Sequence, residues 1–169
     1  MIDPADIAAV RAQLGRPPRD IVAIANRCAC GQPCVVTTPP RLADGTPFPT
    51  TYYLTCPKLT GAIGTLEGAG LMKEMENRLS ESAELRDQYQ RAHESYLAFR
   101  ATLGVVPEVE GISAGGMPDR VKCLHVLVGQ SLACGPGVNP FGDEVLELIG
   151  SWWSGDACSV HVPDDAKHV

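Results

Sequence analysis

A change of hydrophobic period along the chain limits the fold more than any other feature of this sequence. Up to residue 56 the apolar residues fall in short β-type runs: an apolar stretch at 21–25, a β-branched one at 35–38, and an alternation of β-branched and aromatic residues at 50–55. From about Leu66 the period becomes helical. Leu71, Met75 and Leu79 share one stripe, and Leu85, Tyr89, Ala92, Tyr96 and Phe99 share another beyond the Ser80-Glu81-Ser82 interruption, which predicts two helices meeting at a hinge. Further helical segments are expected from about Asp119 to Cys134 and from about Asp143 to Trp152. Ahead of the strands, Asp3 suits an N-cap, Pro4 the first helical position, and Gly15 ends a helix with Ile7, Val10 and Leu14 on one stripe. Strands followed by helices predict an α+β fold, a small antiparallel sheet near the N-terminus packed on a helical bundle. One domain is expected over residues 1–153, with a polar C-terminal tail at 154–169.

Charge and hydropathy narrow the partners. The formal net charge of −6 gives no overall electrostatic footprint for nucleic acid. No run approaches the roughly 18 apolar residues that cross a bilayer, and the acidic N-terminus lacks a signal-peptide h-region. A cytoplasmic protein without membrane contact is expected, where thiols stay reduced. In that compartment the seven cysteines read more readily as ligands or nucleophiles than as disulfide partners.

Four of those cysteines converge if the three runs form a meander. Cys28-Ala29-Cys30-Gly31-Gln32-Pro33-Cys34 is then the first turn, and the third strand runs back to place Cys56 beside it. Cys30-Gly31 resembles the corner of a zinc knuckle, although the first pair is one residue short of the usual spacing. Soft thiolates suit zinc or an iron–sulfur cluster equally. Cys134 and Cys158 have no such neighbours in the sequence and read as ordinary small hydrophobes.

The segment 120–128 is apolar nearly all round once under way, which marks a central helix. On a regular helix Cys123 and His125 point about 160° apart, so both cannot bind one ion. Cys123 is taken as the fourth thiolate reaching the sheet, with His125 pointing elsewhere. Gly115-Gly116 leading into a helix start with Arg120 and Lys122 offers an anion site for phosphate or a carboxylate.

Three blocks carry a likeness to a known family. They are Pro40-Arg41-Leu42 with 44–50 and 52–55, then Gly115-Gly116-Met117-Pro118-Asp119-Arg120-Val121-Lys122-Cys123-Leu124-His125, then Gly135-Pro136-Gly137-Val138-Asn139-Pro140. Together, over about residues 3 to 150, they resemble the bacterial domain-of-unknown-function family numbered 501. That family has no settled activity, so the resemblance implies kinship and little mechanism. It also implies that position 56 admits histidine and that position 34 is usually not cysteine, which keeps Cys56 as a ligand type.

The function expected is that of a metal-dependent protein. Its ligands are Cys28, Cys30, Cys56 and Cys123, with Cys34 as the alternative to Cys28, and its cofactor is zinc or an iron–sulfur cluster. An adjoining anion pocket is expected from Arg41, Thr46 and Arg120 for binding, with His125, Asp44 and Lys122 as catalytic candidates for an enzyme acting on a small anionic substrate. The alternative is a non-catalytic binding or regulatory module with a structural zinc site.

Overall fold

The computed structural model describes residues 1–159. Helix α1, Pro4–Leu14, begins where the Asp3 carboxylate accepts the Ala5 amide at 2.9 Å and ends at Gly15 with φ +67°. Its buried residues are Ala9 and Val10, while Ile7, expected on the stripe, is exposed. Three strands follow, β1 (Ala23–Arg27), β2 (Pro33–Thr37) and β3 (Tyr52–Leu54), in the antiparallel order β1-β2-β3. Ala23 pairs with Thr37, and Thr37 with Tyr52, so the meander returns β3 to the end of the sheet where the first turn lies.

The helices are α2 (Pro57–Gly68), α3 (Leu71–Glu81), α4 (Ala83–Leu103), α5 (Leu124–Cys134) and α6 (Pro140–Ile149). The expected hinge is Ser82, whose hydroxyl caps α4 by accepting the Leu85 amide. Helix α2 has no counterpart in the sequence reading, because Gly61, Gly64 and Gly68 dilute its apolar pattern. Both C-terminal helices start elsewhere than expected. Helix α6 is capped by Asn139 rather than Asp143, through the Gly142 amide at 3.0 Å. Helix α5 starts at Leu124 rather than near Asp119, because residues 114–120 are spent on turns closed by Arg120 N–H to Gly116 and Lys122 N–H to Gly115.

Helix α5 is the axis of the core, packed on β3 on one side and α6 on the other. Both approaches need glycine. A Cβ at Gly129 would lie 2.8 Å from the Tyr52 carbonyl oxygen, and one at Gly142 would collide with the Leu127 carbonyl and the Ser131 hydroxyl. Helix α4 closes the other face. Tyr96, fully buried, accepts the Thr51 amide at 2.6 Å and meets Tyr52 edge to face at 5.3 Å. Helix α2 packs on α5 and is held at both ends: Cys56 at its start lies at the sheet end, next to Thr55 whose amide donates to the Cys34 carbonyl, and Glu67 near its finish accepts the amide at the start of α5.

Candidate metal centre

The turn between β1 and β2 is closed by Cys28 N–H to Gln32 and Gly31 N–H to Cys28, with Gly31 at φ +86°. Cys28 therefore leaves β1 pointing back at the sheet end, where it meets Cys56. The third sulfur is not one the sequence pointed to. Cys158 returns from the end of the chain to lie 3.3 Å from Cys28, Sγ to Sγ, and is 7% exposed. The expectation that Cys158 stands alone as a small hydrophobe is corrected by that contact. The Cys28, Cys56 and Cys158 sulfurs all lie within 4.8 Å of one another and are buried, and this group could hold a metal ion.

Two more thiols border the group. Cys30, half-buried, sits in the same turn as Cys28, whereas Cys34 is fully buried at the start of β2 on the side of Cys56. The bond from Cys34 holds Cys56 low, at about 5, against the opposing effect of burial. The Leu59 and Lys58 amides at the start of α2 favour the same thiolate, although neither reaches ordinary capping geometry. That bond and burial push the Cys34 thiol up, and burial followed by bonds to Cys28, Cys30 and Cys56 does the same to Cys158. Burial opposes ionisation of Cys30, but hydrogen bonds from the Cys158 and Gln32 backbone bring it below the usual thiol range. The segment that delivers Cys158 is tied to the turn by Gln32, which donates to the Ser159 carbonyl at 3.0 Å and accepts its amide at 3.1 Å.

Cys123, expected as the fourth thiolate, is elsewhere. It sits at the start of α5, beside Glu67 and His125. Eleven residues of rise along α2 separate Cys56 from Glu67, roughly 16 Å, too far for one ion. Cys123 precedes the helix with an extended backbone (φ −154°), so the 160° separation from His125 does not apply, and its sulfur lies 4.0 Å from His125 Nδ1. Glu67 Oε1 accepts the Leu124 amide at 2.8 Å and lies 3.1 Å from His125 Nδ1, while Nε2 faces the Thr60 carbonyl at 3.2 Å. The Cys123 contact raises His125 to about 9, with Glu67 adding to it and burial opposing it. Burial opposes the Cys123 thiolate, but His125 and the Val126 amide draw the thiol below its usual range. Cys123 and His125 open onto a cleft of about 600 Å³ that Tyr52, Tyr53 and Thr60 also line.

The remaining candidates lie apart from this group. Asp44 and Thr46 share an exposed turn, the Asp44 carboxylate accepting the Thr46 amide, and Arg41 makes a two-pronged ion pair with Glu108 at 2.7 and 2.8 Å. Arg120 pairs with Glu76, whose Oε1 also accepts the Val121 amide, and Lys122 is exposed nearby. The amides and cations expected to hold a small anion thus face the chain's own carboxylates, Glu67 at the start of α5 and Glu76 just before it.

Beta-strand β1 through most of α6, residues 24–147, match the model of a family described as protein of unknown function, DUF501. The chain belongs to that family. The DUF501 stretch contains Cys28, Cys30, Cys34 and Cys56 and all of the Glu67, Cys123 and His125 group, while Cys158 lies beyond it. No curated protein and no solved structure matches the chain. Among the described residues no helix is long and apolar enough to cross a membrane.

Proposed function

We propose that this DUF501 protein is a metal-dependent protein whose thiolate centre holds one zinc ion in a structural role. The observation that carries this reading is the buried convergence of Cys28, Cys56 and Cys158 from the sheet turn, the start of α2 and the C-terminal segment. Cys30, in the same turn as Cys28, is proposed as the fourth thiolate, its thiol drawn below the usual range by the Cys158 and Gln32 backbone, whereas Cys34, pushed up by burial and by Cys56, stays protonated as a donor to it. A tetrahedral zinc with Zn–S of about 2.3 Å holds its sulfurs about 3.8 Å apart. Sulfurs at 3.3 Å and within 4.8 Å suit that spacing. An iron–sulfur cluster accepts the same soft donors but spreads them over separate irons, which sets them farther apart.

A closed four-thiolate site leaves no position for substrate, so its role is to fasten residues 154–159 to the open end of the sheet. The test is the zinc content of the purified chain against its Cys158→Ser variant. Loss of one equivalent in the variant is expected, and an unchanged zinc content overturns the proposal.

A further inference from the structure

We propose that Glu67, Cys123 and His125 form a second metal site, for a zinc-like divalent ion with one coordination position open to the cleft. The inference goes beyond the thiolate centre and does not depend on it. One carboxylate oxygen, one sulfur and one imidazole nitrogen lie within 4.8 Å of one another, from two different elements. Mixed oxygen, nitrogen and sulfur donors are the set that zinc, a borderline-soft ion, accepts most readily.

The orientation of His125 decides between a metal site and a nucleophilic cysteine. A Cys–His–carboxylate catalytic unit sets the thiol and the carboxylate on opposite ring nitrogens, so that one nitrogen takes the proton while the other is held. Here both face Nδ1, with Glu67 Oε1 at 3.1 Å and Cys123 Sγ at 4.0 Å, and Nε2 is directed at the Thr60 carbonyl at 3.2 Å. A ring with one N–H given to a backbone carbonyl and the other nitrogen aimed at a carboxylate and a thiolate is the arrangement of a metal-ligating histidine. The Leu124 amide, 2.8 Å from Glu67 Oε1, holds the carboxylate in place for the same purpose.

Three protein ligands leave a fourth position, and two of the three, Cys123 and His125, line the cleft of about 600 Å³. Three ligands plus an open position is the pattern of a Lewis-acid zinc site. The open position takes an oxygen donor, water or the carbonyl or carboxylate oxygen of a small molecule lying against Tyr52 and Tyr53.

The experiment is a calorimetric Zn²⁺ titration of the full chain after chelator treatment, in wild type, Cys123→Ala, His125→Ala and Cys158→Ser. Two equivalents are expected for wild type and one for each variant, with Cys123→Ala and His125→Ala keeping the thiolate site and Cys158→Ser keeping this one. A wild-type chain that binds a single equivalent, with Cys123→Ala binding the same amount, overturns the second site alone. A second measurement needs no variant: the rate of Cys123 alkylation by iodoacetamide in chelator-treated and zinc-saturated wild type. Saturation is expected to slow alkylation at least tenfold, and alkylation at an unchanged rate identifies a free thiolate and overturns the proposal.

Discussion

The Cys28 and Cys158 sulfurs lie 3.3 Å apart although 130 positions separate them in the chain. Gln32 holds that approach from one side, exchanging hydrogen bonds with Ser159 through both ends of its amide. A Gln32→Ala substitution is therefore expected to loosen residues 154–159 while leaving the sheet turn intact. Limited proteolysis reads this as faster cleavage beyond residue 150, together with faster zinc release to a chelator. Cleavage and release at wild-type rates would show that the sulfurs alone hold the segment.

Removing the metal should cost global stability as well, since an ion bound only by the folded chain adds its binding free energy to folding. At an ion concentration a hundredfold above its dissociation constant this amounts to about 2.7 kcal/mol. Urea midpoints with and without chelator measure it, and identical midpoints contradict a structural role.

Arg100 is buried and gives its guanidinium to four carbonyls, those of Pro49, Val109, Ile112 and Ser113. It ties the loop after α4 to the segment before β3. Arg100→Met should destabilise by about 3 kcal/mol, because buried acceptors are left unpaired. Chemical denaturation checks the value, and a loss below about 1 kcal/mol would mean water replaces the guanidinium.

His93 gives the fold a pH dependence away from the metal sites. Its ring is buried, with Nδ1 2.7 Å from the Ser113 hydroxyl. Burial lowers its pKa and Arg100 adds to that, against the raising effect of Glu94 and Asp119. A histidine whose folded pKa is depressed stabilises the fold above its unfolded value near 6.5, and that stability is lost as pH falls through the folded value. Stability measured at pH 7.5 and at pH 5.5 should therefore fall more for wild type than for His93→Gln. Equal falls in the two proteins would assign the acid sensitivity to other groups.

Glycine substitutions separate close packing from helix propensity. Gly142→Ala drives a methyl into the Leu127 carbonyl at the crossing of α5 and α6, for an expected loss of about 2 kcal/mol. Gly64→Ala, on an exposed face of α2 with open space around it, should gain up to about 1 kcal/mol. Thermal melts of both variants test the contrast, and a stabilised Gly142→Ala would show that the helices can move apart.

The sheet, its order and the Ser82 hinge were legible because each is written in local pattern: short β-branched runs, a turn between them, a polar break in a 3.6 period. The convergence of Cys28 and Cys56 followed from the same meander. Glu67 and Cys158 were not legible for one shared reason. Glu67 meets Leu124 across 57 positions and Cys158 meets Cys28 across 130, and no local pattern encodes either contact. Helix α2, which carries Glu67, was itself obscured by three glycines. The start of α5 misled in a different way. Residues 120–123 have helical composition, yet the turns closed on Gly115 and Gly116, with the Glu67 carboxylate on the Leu124 amide, put the helix start five residues after Asp119, and that shift moves Cys123 out of helical geometry and beside His125.

The most direct test of the central claim is zinc-edge X-ray absorption on the Cys123→Ala chain, in which the thiolate centre is the site left intact. A single shell of four sulfurs at about 2.3 Å from one zinc is expected. A shell with fewer than four sulfurs, or iron in place of zinc, would contradict the claim.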